Sequence, residues 1–234
     1  MEPNSTTAIV AYQGVSADEA EAFRFVLSQL PGFRTVTVGT ALGQVAGPGG
    51  VQVVDTTLDQ VNAPTVVAVP GGVGSDRHPE IAAWLRRVSP RWLLASSTGT
   101  ALLAAAGLLD DATAATHWLA GPLLERYGAH PSHDRLVVDG RVITCAGGPT
   151  VVRAALVVAQ AYGGADLVAQ IGATAATARQ RAQPRPRGLW ARLGAAVRGR
   201  DPAPPPEAAG PLDRVLGELD PLDLGPVTPP PDRR

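Results

Sequence analysis

The residues best suited to chemistry form one short turn, Ser96-Ser97-Thr98-Gly99. The turn follows the apolar run Trp92–Ser96 and leads into a segment rich in alanine and leucine. A strand that turns sharply into a helix through small hydroxyl residues and glycine presents a side chain at the carboxyl edge of a sheet. Ser97 lies at the corner of this turn. We therefore expect Ser97 to face a small-molecule pocket. The function of the protein depends on what Ser97 does there.

The composition excludes several classes of protein. The chain has 234 residues, 45% of them hydrophobic, and a formal net charge of −1, so its overall charge favours neither nucleic acid nor a membrane. Its one cysteine, Cys145, excludes an internal disulfide and a cysteine-based metal cluster. The amino terminus has no signal-peptide pattern, and Gly, Pro or charged residues interrupt every apolar run of membrane-spanning length. We expect a soluble, cytoplasmic protein.

Short apolar runs alternate with segments of helical periodicity. The predicted strands cover residues 7–12, 34–38, 51–54, 65–69 and 92–96, with a hairpin over 136–144 that turns at an Asp-Gly pair. The predicted helices cover residues 16–27, 79–88, 99–107, 118–127, 151–161 and 165–171. This alternation is typical of a doubly wound, mainly parallel α/β sheet that is covered on both faces.

The composition changes near residue 177. Residues 177–234 hold more than half of the 22 prolines and too little apolar surface to offset the entropy cost of ordering. We expect a folded domain at residues 1–176 and a mostly disordered, Pro- and Arg-rich tail at 177–234. Residues 188–200 of the tail can form a basic amphipathic helix. Such a helix is typical of a segment that docks onto its own domain, binds a membrane surface or contacts a protein partner.

Five motifs in order resemble the ThiJ/PfpI superfamily (the DJ-one group). They are VPGG at 69–72, SSTG at 96–99, AAAGLL at 104–109, ATHW at 115–118 and VDGRVIT at 138–144. The resemblance covers roughly residues 7–171 and is nearest the isonitrile-hydratase branch and the amino-terminal sensor domains of AraC-type regulators. It implies a class I glutamine amidotransferase-like, flavodoxin-like sandwich, a homodimer, and a small-molecule ligand without a metal or other cofactor.

The resemblance assigns the family's usual corner cysteine to Ser97 and the neighbouring threonine to Thr98. A cysteine at such a corner ionises readily and acts as a nucleophile or redox sensor, which Ser97 cannot do in the same way. Cys145 does not replace the missing thiol, because it follows the hairpin strand. We expect Cys145 to be a small core side chain.

Further site residues follow from the same resemblance. The supporting acidic residue falls on Glu19, with Asp18 one place away. The histidine of the ATHW motif is His117. The backbone amides of Gly71 and Gly72 would help to form a pocket for an anion or oxyanion.

Three roles stay open for this set. Ser97 is a nucleophile if His117 takes its proton and Glu19 or Asp18 orients the base. In the second role, Glu19 holds a water or shuttles a proton in a hydratase or lyase reaction, while Ser97 and Thr98 hydrogen-bond the substrate. In the third role, the site has lost thiol chemistry, and the domain is a pseudoenzyme or a ligand sensor. AraC-type relatives carry a DNA-binding domain where this chain has its tail, so we expect no direct contact with nucleic acid.

Overall fold

A computed structural model of the chain describes residues 5–182, which build a central sheet of seven strands. The strands of the described residues are β1 (Ser5–Val10), β2 (Phe33–Gly39), β3 (Gly43–Gly47), β4 (Gly50–Val54), β5 (Thr56–Thr57), β6 (Val66–Val69), β7 (Trp92–Ser96), β8 (Thr113–Ala114), β9 (His130–Pro131), β10 (Leu136–Asp139) and β11 (Val142–Cys145). The strand order in the central sheet is β10-β11-β7-β6-β1-β2-β5. The helices are α1 (Ala17–Leu27), α2 (Pro79–Arg87), α3 (Gly99–Ala105), α4 (Gly121–Arg126) and α5 (Pro149–Ala182).

The central strands run parallel, and β10 joins the edge antiparallel to β11. Side chains alternate between two cores: on β1, Ile9 enters one core while Ala8 and Val10 enter the other. Helices α1 and α5 cover the first face, and α2, α3 and α4 cover the second. Both faces of the sheet are therefore buried, which confirms the predicted doubly wound α/β fold.

The helix α5 closes the first face and continues to Ala182, beyond residue 177, where the predicted tail begins. Between Pro149 and Thr177 it is, by length and composition, long and apolar enough to cross a membrane. Gly164, with φ 65° and ψ −166°, interrupts its helical backbone. Its first half is buried against the sheet, so we assign α5 to the core. The predicted amphipathic helix at 188–200 lies outside the described residues.

Three local details differ from the sequence predictions. The short strands β3, β5, β8 and β9 were not predicted; β3 pairs with β4 as a two-stranded antiparallel hairpin. The predicted helix over 118–127 is a 3₁₀ turn, Trp118–Ala120, followed by the short α4. Pro122 has no amide hydrogen, so the helix restarts there rather than running through. The two predicted closing helices form one element around Gly164.

Candidate active site

Four neighbouring strands, β11, β7, β6 and β1, end at the same edge of the sheet. The segments that follow them supply Gly147, Ser97, Gly71 and Glu19, respectively. Glu19 comes from the first turn of α1, which begins where the Ser16 hydroxyl accepts a hydrogen bond from the Glu19 amide. The carboxyl edge of a parallel sheet is where α/β folds bind their ligands.

Ser97 adopts a left-handed backbone conformation with φ 53°, which is rare for a residue with a side chain. Neighbouring strands hold it there. Its amide donates to the carbonyl of Cys145 at 2.8 Å, and its carbonyl accepts from Thr116 Oγ1 at 2.7 Å. The corner is thus fixed from two sides, and the sharp turn inferred from the sequence is present.

The two carboxylate oxygens of Glu19 have different surroundings. Oε2 accepts hydrogen bonds from the Gly71 amide at 2.8 Å and from Ser96 Oγ at 2.6 Å. Oε1 points toward Gly147, where an added Cβ would lie only 2.7 Å away. One oxygen is therefore held by two donors, and the other faces the gap between Gly147 and Ser97.

Glu19 and Ser97 lie side by side because two glycines leave them room. A Cβ on Gly71 would lie 2.9 Å from Glu19 Oε2 and 3.0 Å from Ser97 Oγ. A Cβ on Gly147 would lie 3.0 Å from Ser97 Cβ, and Gly147 has φ +90°. A larger residue at either position would collide with Glu19 and Ser97. The close approach of these two side chains to the backbone therefore requires glycine at both positions.

Burial raises the pKa of Glu19 above its ordinary value, against the hydrogen bonds from Ser96 and Gly71 and the nearby His117, which lower it. Tyr12 is a buried neighbour whose hydroxyl donates to the carbonyl of Pro70 at 2.9 Å. Burial and the charge of Glu19 raise the pKa of Tyr12 well above its usual range. A carboxyl group with a raised pKa is suited to proton transfer near neutral pH.

Thr98 and Gly72 bind each other. Thr98 Oγ1 donates to the Gly72 carbonyl at 2.7 Å and lies 2.8 Å from the Gly72 amide, which donates to it. The Gly71 amide donates to Glu19. Both amides proposed for an oxyanion pocket therefore have partners within the protein, and the Thr98 hydroxyl braces the loop after β6.

His117 caps the 3₁₀ turn that follows it. Its Nδ1 accepts a hydrogen bond from the Leu119 amide at 3.3 Å. Among the hydrogen bonds of residues 5–182, none joins His117 to Ser97 or Glu19.

Asp18 lies apart from this cluster. Its carboxylate is beside the turn of the β3–β4 hairpin, where a Cβ on Gly49 would lie 2.6 Å from Asp18 Oδ1. Cys145, the last residue of β11, is fully buried in the core, as predicted. Burial raises the pKa of its thiol to about 12.

A cavity of about 710 Å³ opens beside the corner. Its lining comes from the loop before α4, the loop before β10 and the loop after β11: Thr116, His117, Trp118, Gly121, Pro122, Glu125, Pro131, Ser132, His133, Asp134, Arg135, Ala146, Gly147 and Gly148. Gly147 belongs both to this lining and to the wall around Glu19 and Ser97. Glu19 and Ser97 are not themselves among the lining residues, and Gly147 lies between them and the cavity.

Three contributors to the site were missed in the sequence. Ser96 binds Glu19, Tyr12 holds the Pro70 carbonyl, and Gly147 separates Glu19 from the cavity. The pair Gly147-Gly148, shortly after the predicted hairpin at 136–144, was a usable signal, because glycine near a strand often marks a close approach of the backbone. Ser96 and Tyr12 carried no such signal.

Comparison with known proteins gives the following relatives. Residues 8–161 match the sequence profile of the DJ-1/PfpI family. The isonitrile hydratase of Pseudomonas putida is 34% identical over 147 residues, which cover 60% of this chain and 64% of that protein. The HTH-type transcriptional regulator GlxA of Rhizobium meliloti is 33% identical over 149 residues, which cover 60% of this chain and 45% of that protein. The match thus spans less than two thirds of either relative.

The fold is shared with a solved structure. The crystal structure of a ThiJ/PfpI family protein from Pseudomonas syringae superposes with a TM-score of 0.69 at 21% identity. The superposition covers 80% of this chain and 79% of that one. At this identity the likeness concerns the fold.

Proposed function

Because the chain belongs to the DJ-1/PfpI family, we propose that it is a cofactor-free hydratase in which Glu19 adds water to a small polar electrophile. The asymmetric environment of the Glu19 carboxyl group is the observation that carries the proposal. Oε2 is held by Gly71 and Ser96, and Oε1 points toward Gly147, which also lines the cavity. The similarity to an isonitrile hydratase supports an isonitrile as the electrophile.

The reaction needs one group that gives and then takes a proton. Protonated Glu19 transfers its proton to the terminal carbon of the isonitrile, and a water molecule adds to the same carbon. The carboxylate then takes a proton from the added water, and the resulting imidic acid tautomerises to an N-substituted formamide. The raised pKa of Glu19 keeps a larger share of the group protonated at the start of this cycle.

The hydrogen bonding of His117 argues against a Ser97 nucleophile. In a Ser–His–acid triad, Nδ1 donates to the acid and Nε2 accepts from the serine. In His117, Nδ1 instead accepts from the Leu119 amide, and within the described residues no hydrogen bond joins the ring to Ser97 or Glu19. Ser97 is then a hydrogen-bonding group for the substrate, a role that tolerates the loss of the family's thiol.

Substitution of Glu19 tests the proposal. We expect Glu19→Gln to lower kcat/KM for formamide production from an alkyl isonitrile by roughly 10²–10⁴-fold. Ser97→Ala should retain activity within about tenfold, because it removes one neutral hydrogen bond. Glu21→Gln is the matched control, since Glu21 lies on the same helix and contacts Gln52 instead of the site. Full activity of Glu19→Gln would refute the mechanism.

A covalent probe separates hydration from acyl transfer. A serine-reactive fluorophosphonate, read by intact mass, should leave the purified protein unlabelled at Ser97. A single adduct that is absent from Ser97→Ala would mean an activated serine. In that case a hydrolase mechanism would replace hydration.

The second candidate is a non-catalytic ligand sensor. The similarity to the regulator GlxA favours it, as does the absence of a thiol at Ser97. A sensor would show ligand-dependent thermal stabilisation without turnover of the ligand. Turnover that depends on Glu19 would reject this candidate.

The proposed assembly is a homodimer, as the family resemblance implies, and the proposed location is the cytoplasm, as the sequence pattern of the amino terminus and the apolar runs suggests. Val51 and Val53 on the β3–β4 hairpin are exposed apolar side chains that suit self-association. Light scattering should give twice the chain mass of 24.1 kDa. A monomer would refute this assembly and leave the chemistry at Glu19 untouched.

A further inference from the structure

Trp118 is a large apolar side chain left in solvent beside the cavity. It is 79% exposed and is one of the residues that line the cavity. Two buried tryptophans of the same domain, Trp84 and Trp92, lie in the core. Tryptophan has a large apolar surface to bury, so an exposed one at a cavity is suited to contact a ligand.

The position of Trp118 is set by its neighbours. It begins a 3₁₀ turn that His117 caps through Nδ1, and its ring lies 5.8 Å from the His117 ring. Leu119, the next residue, is 65% exposed but is not among the residues that line the cavity. The turn therefore directs one exposed apolar side chain to the cavity and the next one away from it.

The cavity is larger than the reacting group needs. An isonitrile carbon and nitrogen occupy a small part of about 710 Å³, a volume typical of sites for much larger ligands. Its charged lining residues, Glu125, Asp134 and Arg135, are of both signs, so the lining has no strong preference for a charged ligand. Trp118, Pro122 and Pro131 supply apolar surface.

We propose that Trp118 is a specificity-determining residue that selects electrophiles with an uncharged, ring-sized apolar substituent. The inference rests on the proposed hydration at Glu19. The reacting carbon lies at the Gly147 wall beside Glu19, and the substituent lies in the cavity against the indole ring. Stacking and apolar burial against Trp118 then strengthen the binding of a ring but not of a methyl group.

Two substrates that differ only in the substituent test this inference. We expect Trp118→Ala to lower kcat/KM for benzyl isonitrile about tenfold and to change that for methyl isonitrile less than about twofold. Trp118→Phe keeps an aromatic ring and should keep the preference. Leu119→Ala is the matched control and should alter neither substrate. An equal effect of Trp118→Ala on both substrates, or no effect on either, would overturn the inference.

A binding measurement keeps this test separate from the proposed reaction. If no isonitrile is hydrated, the hydratase proposal fails, and calorimetric titration with N-benzylformamide and N-methylformamide then tests Trp118 alone. Tighter binding of the benzyl compound, lost in Trp118→Ala and kept in Leu119→Ala, would support the ligand class. Absence of binding, or equal binding of both compounds, would overturn it.

Discussion

Ser96 Oγ donates a 2.6 Å hydrogen bond to Glu19 Oε2 across 77 positions of the chain. The two serines of the corner thus have different tasks. Ser96 ends β7 and fixes the acid, whereas Ser97 turns away in a left-handed conformation and lies beside Gly71 and Gly147. The proton affinity of Glu19 depends on Ser96, whereas Ser97 is the residue proposed to contact the substrate.

Removing the Ser96 hydroxyl should shift the pH profile of the reaction. The hydrogen bond from Ser96 lowers the pKa of Glu19, so Ser96→Ala should raise it. Because the proposed first step needs protonated Glu19, activity falls as the pH rises through this pKa, and the fall should occur at higher pH in Ser96→Ala. The measurement is kcat/KM against pH. Ser97→Ala should leave the midpoint in place, and a downward shift in Ser96→Ala would contradict the prediction.

Glu19 should make the free energy of unfolding depend on pH. Its pKa is raised in the folded state above the ordinary 4.5, so the folded protein holds more protons between these two values. The free energy of unfolding should therefore fall as the pH rises from about 4.5 through the folded-state pKa, and level off above it. Urea denaturation at a series of pH values measures this slope. Glu19→Gln should flatten it, whereas an unchanged slope would assign the effect to other groups.

Gly147 and Gly148 offer a matched pair for testing the wall of the site. Both have positive φ, so alanine at either should lower the free energy of unfolding by about 1–2 kcal/mol. A Cβ at Gly147 would lie 2.7 Å from Glu19 Oε1, whereas a Cβ at Gly148 meets nothing within 4 Å. Gly147→Ala should therefore lower kcat/KM by roughly 10²-fold or more, because it displaces the acid. Gly148→Ala adds a methyl group to the cavity lining but leaves Glu19 in place, so it should lower kcat/KM far less. Equal activities of the two variants would place the reaction elsewhere.

The folded protein should be inert to thiol reagents. Its one cysteine, Cys145, is fully buried, and burial raises the pKa of its thiol to about 12. Ellman's reagent should detect no thiol in the native protein and one thiol per chain in guanidinium chloride. Hydration activity should survive treatment with the reagent. Rapid native labelling at Cys145 would show that β11 opens.

The fold was predictable because its signals are local. Each signal can be recognised within about ten residues: an apolar strand run, a helical periodicity, or a Gly or Pro that ends an element. The predicted strands alternate with the predicted helices, as a doubly wound sheet requires. Pro122 shows the limit of such reasoning. The periodicity across 118–127 is helical, but the proline divides the segment into two short turns.

The site was predictable only in part because its contacts are distant in sequence. The corner at Ser97 and the glycines after β6 were recognisable, and Glu19 came from a family resemblance. Which of two adjacent serines binds Glu19 depends on the left-handed turn at Ser97, and that turn is set by the strand register with Cys145. The bond from Tyr12 to Pro70 spans 58 positions and has no local pattern.

The residues of the candidate site follow four different strands of the sheet, so the site can form only when all four strands are in place. The bonds of Glu19 to Gly71 and to Ser96 span 52 and 77 positions, and Gly147 comes later still. Contacts this distant must offset the entropy of closing long loops, so they depend on the packing of the whole sheet. A nascent chain that has not yet been synthesised to Gly147 lacks one wall of the pocket. The proposed site is therefore a property of the completed sheet.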